Sequence, residues 1–448
     1  MKSKIAIILL VLIISLSFPQ ILRSQEPWSL EQCIIHAHQN NILVKQQTLN
    51  TEYSKNTLEQ SKMERLPNLN GSSSYGITFG QGIDPITYEF KNQTSQQVNM
   101  SLNSSVTLFG GFQKKNTILQ DEFNLQASLQ DLEKLKNDIA LNIAAAYLQI
   151  LFNSELLEVA KAQLAITNLQ VNRTKVLVDA GSLAKGGLLE IQSQQASEEL
   201  QVVNSENNLI LSYLNLTQIL DLESAENFKI VVPELSEIQE NELLFGVDMV
   251  FAQAVATLPQ IKGSEFKLSS ANSALDIAKG SRIPKLSLSA SYGSGYSDIR
   301  TKIDNSTYPM NEQIRDNASA SLFLSLNVPI FNNYMIRNGI KNSRLNLQNS
   351  ELDLENAKNV LYKEIQQSYA DALGALKKYR ATEKALVSME ESFKYTQEKY
   401  QVGLVNAVDF NVAKNQLTRT QSDLLQAKYN YIFKTNILNF YRGEPIKL

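Results

Sequence analysis

Two distant stretches of the chain carry nearly the same line of residues. RLPNLNGSSSYG runs from Arg65 to Gly76, and RIPKLSLSASYG runs from Arg282 to Gly293. Pro67 and Pro284 stand 217 positions apart, as do Tyr75 and Tyr292. Farther on, LFGGFQKKNTI (Leu108 to Ile118) faces IFNNYMIRNGI (Ile330 to Ile340), with Phe109 and Phe331 offset by 222. The same offset relates Gly181 to Gly403 and Gln194 to Gln416, so five extra residues lie between Tyr292 and Phe331. A tandem duplication of about two hundred residues follows, and each half must carry the same series of elements.

The side-chain period inside each repeat changes after its proline. Leu286, Leu288, Ala290 and Tyr292 alternate with Ser287, Ser289, Ser291 and Gly293. Ala318, Ala320, Leu322, Leu324, Leu326, Val328 and Ile330 oppose Ser319, Ser321, Ser325 and Asn327. The first half matches this with Val98, Met100, Leu102, Val106 and Leu108, and with a weaker segment from Leu69 to Phe79. These read as four strands of about ten residues, apolar on one face and hydroxyl-rich on the other, as in a transmembrane barrel. A soluble sheet with one wet face shows the same alternation. The flanking helices supply no apolar layer to cover such a sheet, which favours the membrane. The polar connectors 80–97 and 297–317 would then be outer loops. Phe79, Tyr88, Phe90, Phe109, Tyr296, Tyr308 and Phe331 would form an aromatic girdle.

Four strands cannot close a barrel, and open edges in hydrocarbon leave backbone groups unpaired. Three copies give twelve strands and a ring without edges.

Between the strand pairs the chain has few helix breakers; the whole sequence holds only 10 prolines and 18 glycines. Phe112 to Val178 contains neither, and Ile340 to Gln401 contains only Gly374. Helices of ~65 residues spanning roughly 100 Å are expected, each followed by a glycine turn and a returning helix. In the last of these, Leu417, Leu424, Tyr431 and Leu438 recur every seven residues beside Ala413, Thr420 and Ala427, the spacing of a coiled-coil seam. Phe410, Val412, Leu425, Ile432 and Ile437 add contacts on another side, which suits the wall of a tube.

The N-terminus places Lys2 and Lys4 before an apolar run, Ile5 to Phe18, and reads as a secretory signal peptide over residues 1–24. No comparable apolar run follows. The formal charge of −3 carries no basic excess, so nucleic acid is not an expected partner. Cys33 is the lone cysteine and reads as a helix-face residue, with no disulfide framework possible within the chain.

The order PWSLEQCIIHAHQNN (Pro27 to Asn41), strand hairpin, long helix, glycine turn and returning helix, duplicated and then closed by YNYIFKTNILNFYRGE (Tyr429 to Glu444), resembles the outer membrane efflux protein family, the TolC-like exit ducts. The similarity runs from Trp28 to about Arg442. It implies a mainly α fold of tandem-duplicated helical hairpins in a trimeric α-barrel, with four strands per chain entering a twelve-stranded β-barrel in outer membrane lipid. The first repeat would span 25–245, with helices 28–65, β-hairpin 69–109, helical hairpin 112–220 and an equatorial segment 221–245. The second would span 246–448, with helices 247–281, β-hairpin 285–331, helical hairpin 334–441 and a short tail.

The resemblance also implies partners and sites. The partners are two further copies of the chain, a periplasmic adaptor protein and an inner-membrane transporter. Pro67, Pro284 and Pro329 would mark the swivel from helix to barrel, since proline breaks the helical ladder. The turns Val178 to Glu190 and Tyr400 to Phe410 would form the tip, with Gly181, Ser182, Leu183, Gly403, Leu404 and Val405 as adaptor-docking residues. Asp409, matching an acidic position of the constriction, would become a ring of three carboxylates; Glu190 and Tyr400 are further constriction candidates. Departures from the family pattern are Val412 in place of a second acid, Gly187 at the first-half equivalent of Asp409, and Val405 in place of a base.

Nothing points to catalysis, a cofactor or a metal. His36 and His38 stand at i, i+2 and diverge on a helix. GSLAKGGL (Gly181 to Leu188) lacks the Lys-Ser/Thr of a phosphate loop and follows a helix. The expected function is a passive exit duct of a tripartite efflux pump. The alternatives are a duct for type I protein secretion and, in another class, a trimeric coiled-coil stalk or adhesin.

Overall fold

The computed structural model describes residues 27–83, 89–226, 228–233, 246–304, 306–447. The expected signal peptide, Tyr88 and most of the expected equatorial segment lie outside them. The chain forms two compact units. One takes in the described residues within Met1–Lys45, Leu135–Ala254 and Lys363–Leu448; the other takes in those within Gln46–Lys134 and Val255–Tyr362. Each draws on both repeats, so the duplication orders the elements along the chain without defining the compact bodies.

The first unit is helical. Helix α1 (Leu30–Asn40) opens with a capping box, in which the Ser29 hydroxyl accepts from the Gln32 amide at 3.2 Å and Gln32 Oε1 accepts from the Ser29 amide at 2.8 Å. This satisfies two of the donors that a helix start leaves free. Cys33 is fully buried on its inner face, where burial pushes the thiol up to about 12. Trp28 forms a bridge with Ile230, and Tyr147 Oη donates to both the Trp28 and Val231 carbonyls.

The long helices are α3 (Gln113–Asp179) and α8 (Met335–Gln401), with returning helices α4 (Lys185–Ile219) and α9 (Ala407–Tyr441). In α3, Ile139, Ala146, Asn153, Ala160, Thr167 and Thr174 are all buried. That spacing of seven marks coiled-coil packing, with the buried residues becoming more polar toward the turn. The expected seam of α9 is half right. Tyr431 and Leu438 are buried with Thr420 and Ala427, whereas Leu417 and Leu424 are only partly covered. One 18-residue window of α3 reaches a mean hydropathy of 1.3, and 56% of it is buried inside the protein, as a core helix would be.

The second unit holds an antiparallel sheet in the order β1 (Asn70–Ile83), β2 (Phe90–Gly110), β3 (Lys285–Ser297) and β4 (Ser319–Asn327). It also contains most of α2 (Ile42–Met63) and all of α6 (Pro259–Gly280). Pro67 and Pro284 precede β1 and β3, and Pro329 follows β4. The turns before the strands repeat bond for bond: Arg65 and Leu66 donate to Lys62 and Met63, and Arg282 and Ile283 donate to Lys279 and Gly280. After β2 and β4 the chain turns through consecutive left-handed residues, Gly111 and Phe112, then Asn333 and Tyr334. In α6 the close approach of Gly280 to Gly111 leaves no room for a Cβ at either.

Two strand expectations need correcting. The first connector is not a long loop: β1 and β2 stay paired out to Ile83 and Phe90. Its polar side chains reflect the wet face of a paired ribbon. A bulge between Thr107 and Phe109 sets Phe109, rather than Leu108, opposite Leu286, because one extra residue shifts the side-chain alternation.

One face of the sheet carries Val98, Met100, Leu102, Leu288, Leu322, Leu324 and Leu326. The other pairs Ser72 with Ser101 at 2.8 Å and Ser291 with Ser321 at 2.7 Å. Leu322, Leu324 and Leu326 are each more than 60% exposed. Among the described residues only the short helix α7 (Met310–Asp316) lies over a strand, where Gln313 bonds the Ser297 amide and carbonyl at 3.0 and 2.9 Å.

Candidate functional site: the helical-hairpin turns and the polar core behind them

Both long helices end in the same backbone device. Gly181 donates to Val178 and Ser182 to Leu177, while Gly403 donates to Tyr400 and Leu404 to Lys399. These are paired Schellman bonds, and Gly181 and Gly403 adopt φ of +72° and +78°. No atom would touch a Cβ at either site, so conformation and not crowding calls for glycine. Ser182, Leu183 and Leu404 are exposed and Val405 is partly covered; Leu404 retains 76% of its surface.

The second turn is the better capped. Asn406 Oδ1 accepts from the Asp409 amide at 2.8 Å, which starts α9 with Asp409 in its first turn, exposed and favourably placed at the helix N-terminus. The corresponding Ala184 before α4 has no side-chain cap. Tyr400 stacks on Phe410 with ring centroids 4.6 Å apart, and Phe393 meets the same ring at 5.4 Å. This aromatic cluster joins α8 to α9 just behind the turn. Arg173 Nη2 donates to the Gln401 carbonyl at 3.3 Å, tying the end of α3 to that of α8. Glu190 is exposed on α4, and the structure does not join it to Asp409.

Behind the turns lies a cluster that the sequence reading missed. Lys414 on α9 is 1% exposed, and its Nζ lies 3.1 Å from Glu198 Oε1 of α4. It also donates to the Gln163 carbonyl at 3.0 Å and to the Thr167 hydroxyl, both on α3. Thr167 donates to Glu198 Oε2, and Gln194 donates to Glu198 Oε1 at 2.8 Å. The ammonium and the carboxylate are therefore satisfied by three helices at once, as buried charges must be. Burial holds the Lys414 pKa below its ordinary value, with Glu198 opposing that shift. The available signal was the series Ile191, Glu198, Ser205, Ser212, where a carboxylate occupies a buried seven-residue stripe. The duplication carries no copy of the pair, since Thr420 and Gln192 occupy the equivalent positions.

Among the described residues no cluster of histidine, cysteine or carboxylates could hold a metal ion. His38 Nε2 lies 3.1 Å from the Lys136 carbonyl and His36 Nδ1 lies 3.2 Å from Asn40 Nδ2, so the two rings serve separate local bonds.

The sequence profile of the family described as outer membrane efflux protein matches residues 34–221 and 250–443. The chain is 24% identical to Toxin and drug export protein A of Aggregatibacter actinomycetemcomitans, over 89% of this chain and 85% of that one. It is 22% identical to Outer membrane protein TolC of Escherichia coli strain K12, over 95% and 84%. The solved structure of the outer membrane protein VceC from Vibrio cholerae superposes with a TM-score of 0.76 at 15% identity, covering 93% of this chain and 96% of that one. The profile match covers both repeats, and the chain belongs to the outer membrane efflux protein family.

Proposed function

We propose that the protein is the outer membrane exit duct of a tripartite efflux pump. Three copies form it, and a periplasmic adaptor and an inner-membrane transporter recruit it. The observation that carries this reading is the sheet: two open edges and an apolar face left largely exposed, on strands long enough to cross a bilayer. Trimerisation closes the edges, and lipid covers the face. The helical hairpins continue the duct toward the periplasm, and Pro67, Pro284 and Pro329 serve as swivels between helix and barrel.

The exposed turns are the docking tips, formed by Gly181, Ser182, Leu183, Gly403, Leu404 and Val405. Asp409 supplies a ring of three carboxylates at the constriction, with Glu190 and Tyr400 nearby. The duct conducts passively and performs no chemistry of its own.

A second reading is a duct for type I protein secretion, supported by the toxin export in the name of one relative. Deleting the gene separates the two. Increased sensitivity to small toxic compounds supports efflux, whereas unchanged sensitivity with loss of a secreted protein supports secretion. A mutant indistinguishable from the parent on both counts contradicts both.

A further inference from the structure

Strands β1 and β4 form the two edges of the sheet. The internal duplication provides a template for what each edge meets. A shift of 217 carries β1 onto β3, and a shift of 222 carries β2 onto β4. The two hairpins obey these shifts to the residue: Tyr75 faces Val98, and Tyr292 faces Ala320. The β2·β3 pairing, with Leu102 opposite Tyr292, is where the two repeats meet within the sheet. The same shifts convert it into Leu324 opposite Tyr75, two residues that no single copy brings together.

We propose that β4 of one copy pairs antiparallel with β1 of the next in this register, an inference that rests on the homotrimer reading above. On the apolar face the seam sets Leu322 against Ile77 and Ala320 against Phe79. On the polar face it sets Ser325 against Ser74.

An independent observation supports the same register. Phe323 is the one aromatic side chain on the polar face of the described strands, and it is 60% exposed. The proposed seam lays it across Gly76 of the next copy, where an added Cβ would meet nothing within 4 Å. An aromatic ring over a strand glycine covers backbone that the glycine leaves bare. A slip of two residues would place Ser74 or Thr78 beneath the ring. A slip of one would send Leu324 and Tyr75 to opposite faces.

The test uses the full-length chain with Cys33→Ala, oxidised in the membrane and resolved without reductant. Tyr75→Cys with Leu324→Cys, and Ser74→Cys with Ser325→Cys, should give linked ladders ending at the trimer. Leu324→Cys with Ser73→Cys or Ile77→Cys should link at least about fivefold less, because directly opposed side chains lie closest. Preferential linkage of a shifted pair, or no linkage in a protein that is trimeric by native mass, overturns the register. A monomeric parent protein overturns the trimer reading instead. Phe323→Ser provides a readout free of engineered thiols: the trimer should dissociate at a lower temperature, and an unchanged dissociation temperature overturns the contact with Gly76.

Discussion

The ammonium of Lys414 and the carboxylate of Glu198 meet at 3.1 Å inside the helical unit, with side-chain exposures of 1% and 8%. The pair joins the returning helices of the two repeats. A buried pair of this kind adds little over apolar residues of similar size, but losing one partner strands the other charge. Glu198→Leu or Lys414→Met alone should lower unfolding stability by about 3–5 kcal/mol. Combining Glu198→Leu with Lys414→Met should restore most of it. Thermal unfolding in detergent measures all three, and additive losses in the double variant would contradict a coupled pair.

The same lysine predicts a pH dependence. Burial lowers its folded-state pKa below the ordinary 10.5, so between those two values the unfolded chain holds more protons than the folded one. Stability contributed by this group therefore rises with pH across that window. Lys414→Met should remove the rise. Tyr147 and Tyr429, whose hydroxyls are pushed up by burial, contribute in the opposite sense at high pH and are common to both proteins. An identical pH profile in the variant would exclude Lys414 as its source.

Asp371 and Lys434 form a more exposed pair at 2.8 Å, and the lysine's hydrogen bond holds the carboxyl below its usual range. The folded pKa lies below the unfolded 3.8, so the stabilisation is present above that value and lost as pH falls through the folded pKa. Asp371→Asn should cost under about 1 kcal/mol at neutral pH and flatten the acid limb of the stability curve. Acid titration of unfolding checks this, and an acid limb as steep as the parent's would contradict it.

Gly403 adopts φ +78°, where a residue with a Cβ is disfavoured by about 1–2 kcal/mol and asparagine is tolerated best. Gly403→Val should reach the outer membrane yet lose capture of the adaptor in pull-down, and Gly403→Asn should retain more of it. A valine variant that never inserts would assign the glycine to folding instead.

If Asp409 forms the proposed ring, Asp409→Asn should leave the trimer intact and reduce preference for cations over anions, because three carboxylates would be lost together. Reversal potentials across a salt gradient measure this. Unchanged selectivity would remove Asp409 from the conducting path.

Much of this architecture is legible in the sequence because its cues are local. The absence of proline and glycine from Phe112 to Val178 marks α3 to within a residue at each end, and Gly181 and Gly403 mark its turn and that of α8. The hidden parts depend on partners far away in the chain. Lys414 and Glu198 are 216 residues apart, and a charge on an amphipathic helix ordinarily faces water. The bulge at Leu108 follows from the pairing of β2 with β3, which the alternation of one strand cannot reveal. The outer half of the first hairpin was hidden for a related reason, since Gln93, Gln96 and Gln97 read as loop residues until their cross-strand partners are known.

The central claim is a continuous duct, and the most direct test is single-channel current from the purified trimer in a planar bilayer. The parent protein should be measured beside a variant with Tyr400→Ala and Asp409→Asn at the tip. The parent should show discrete conductance steps that prefer cations, and the variant larger and less selective ones. Well-folded trimers of both proteins that insert and carry no current would contradict a continuous duct.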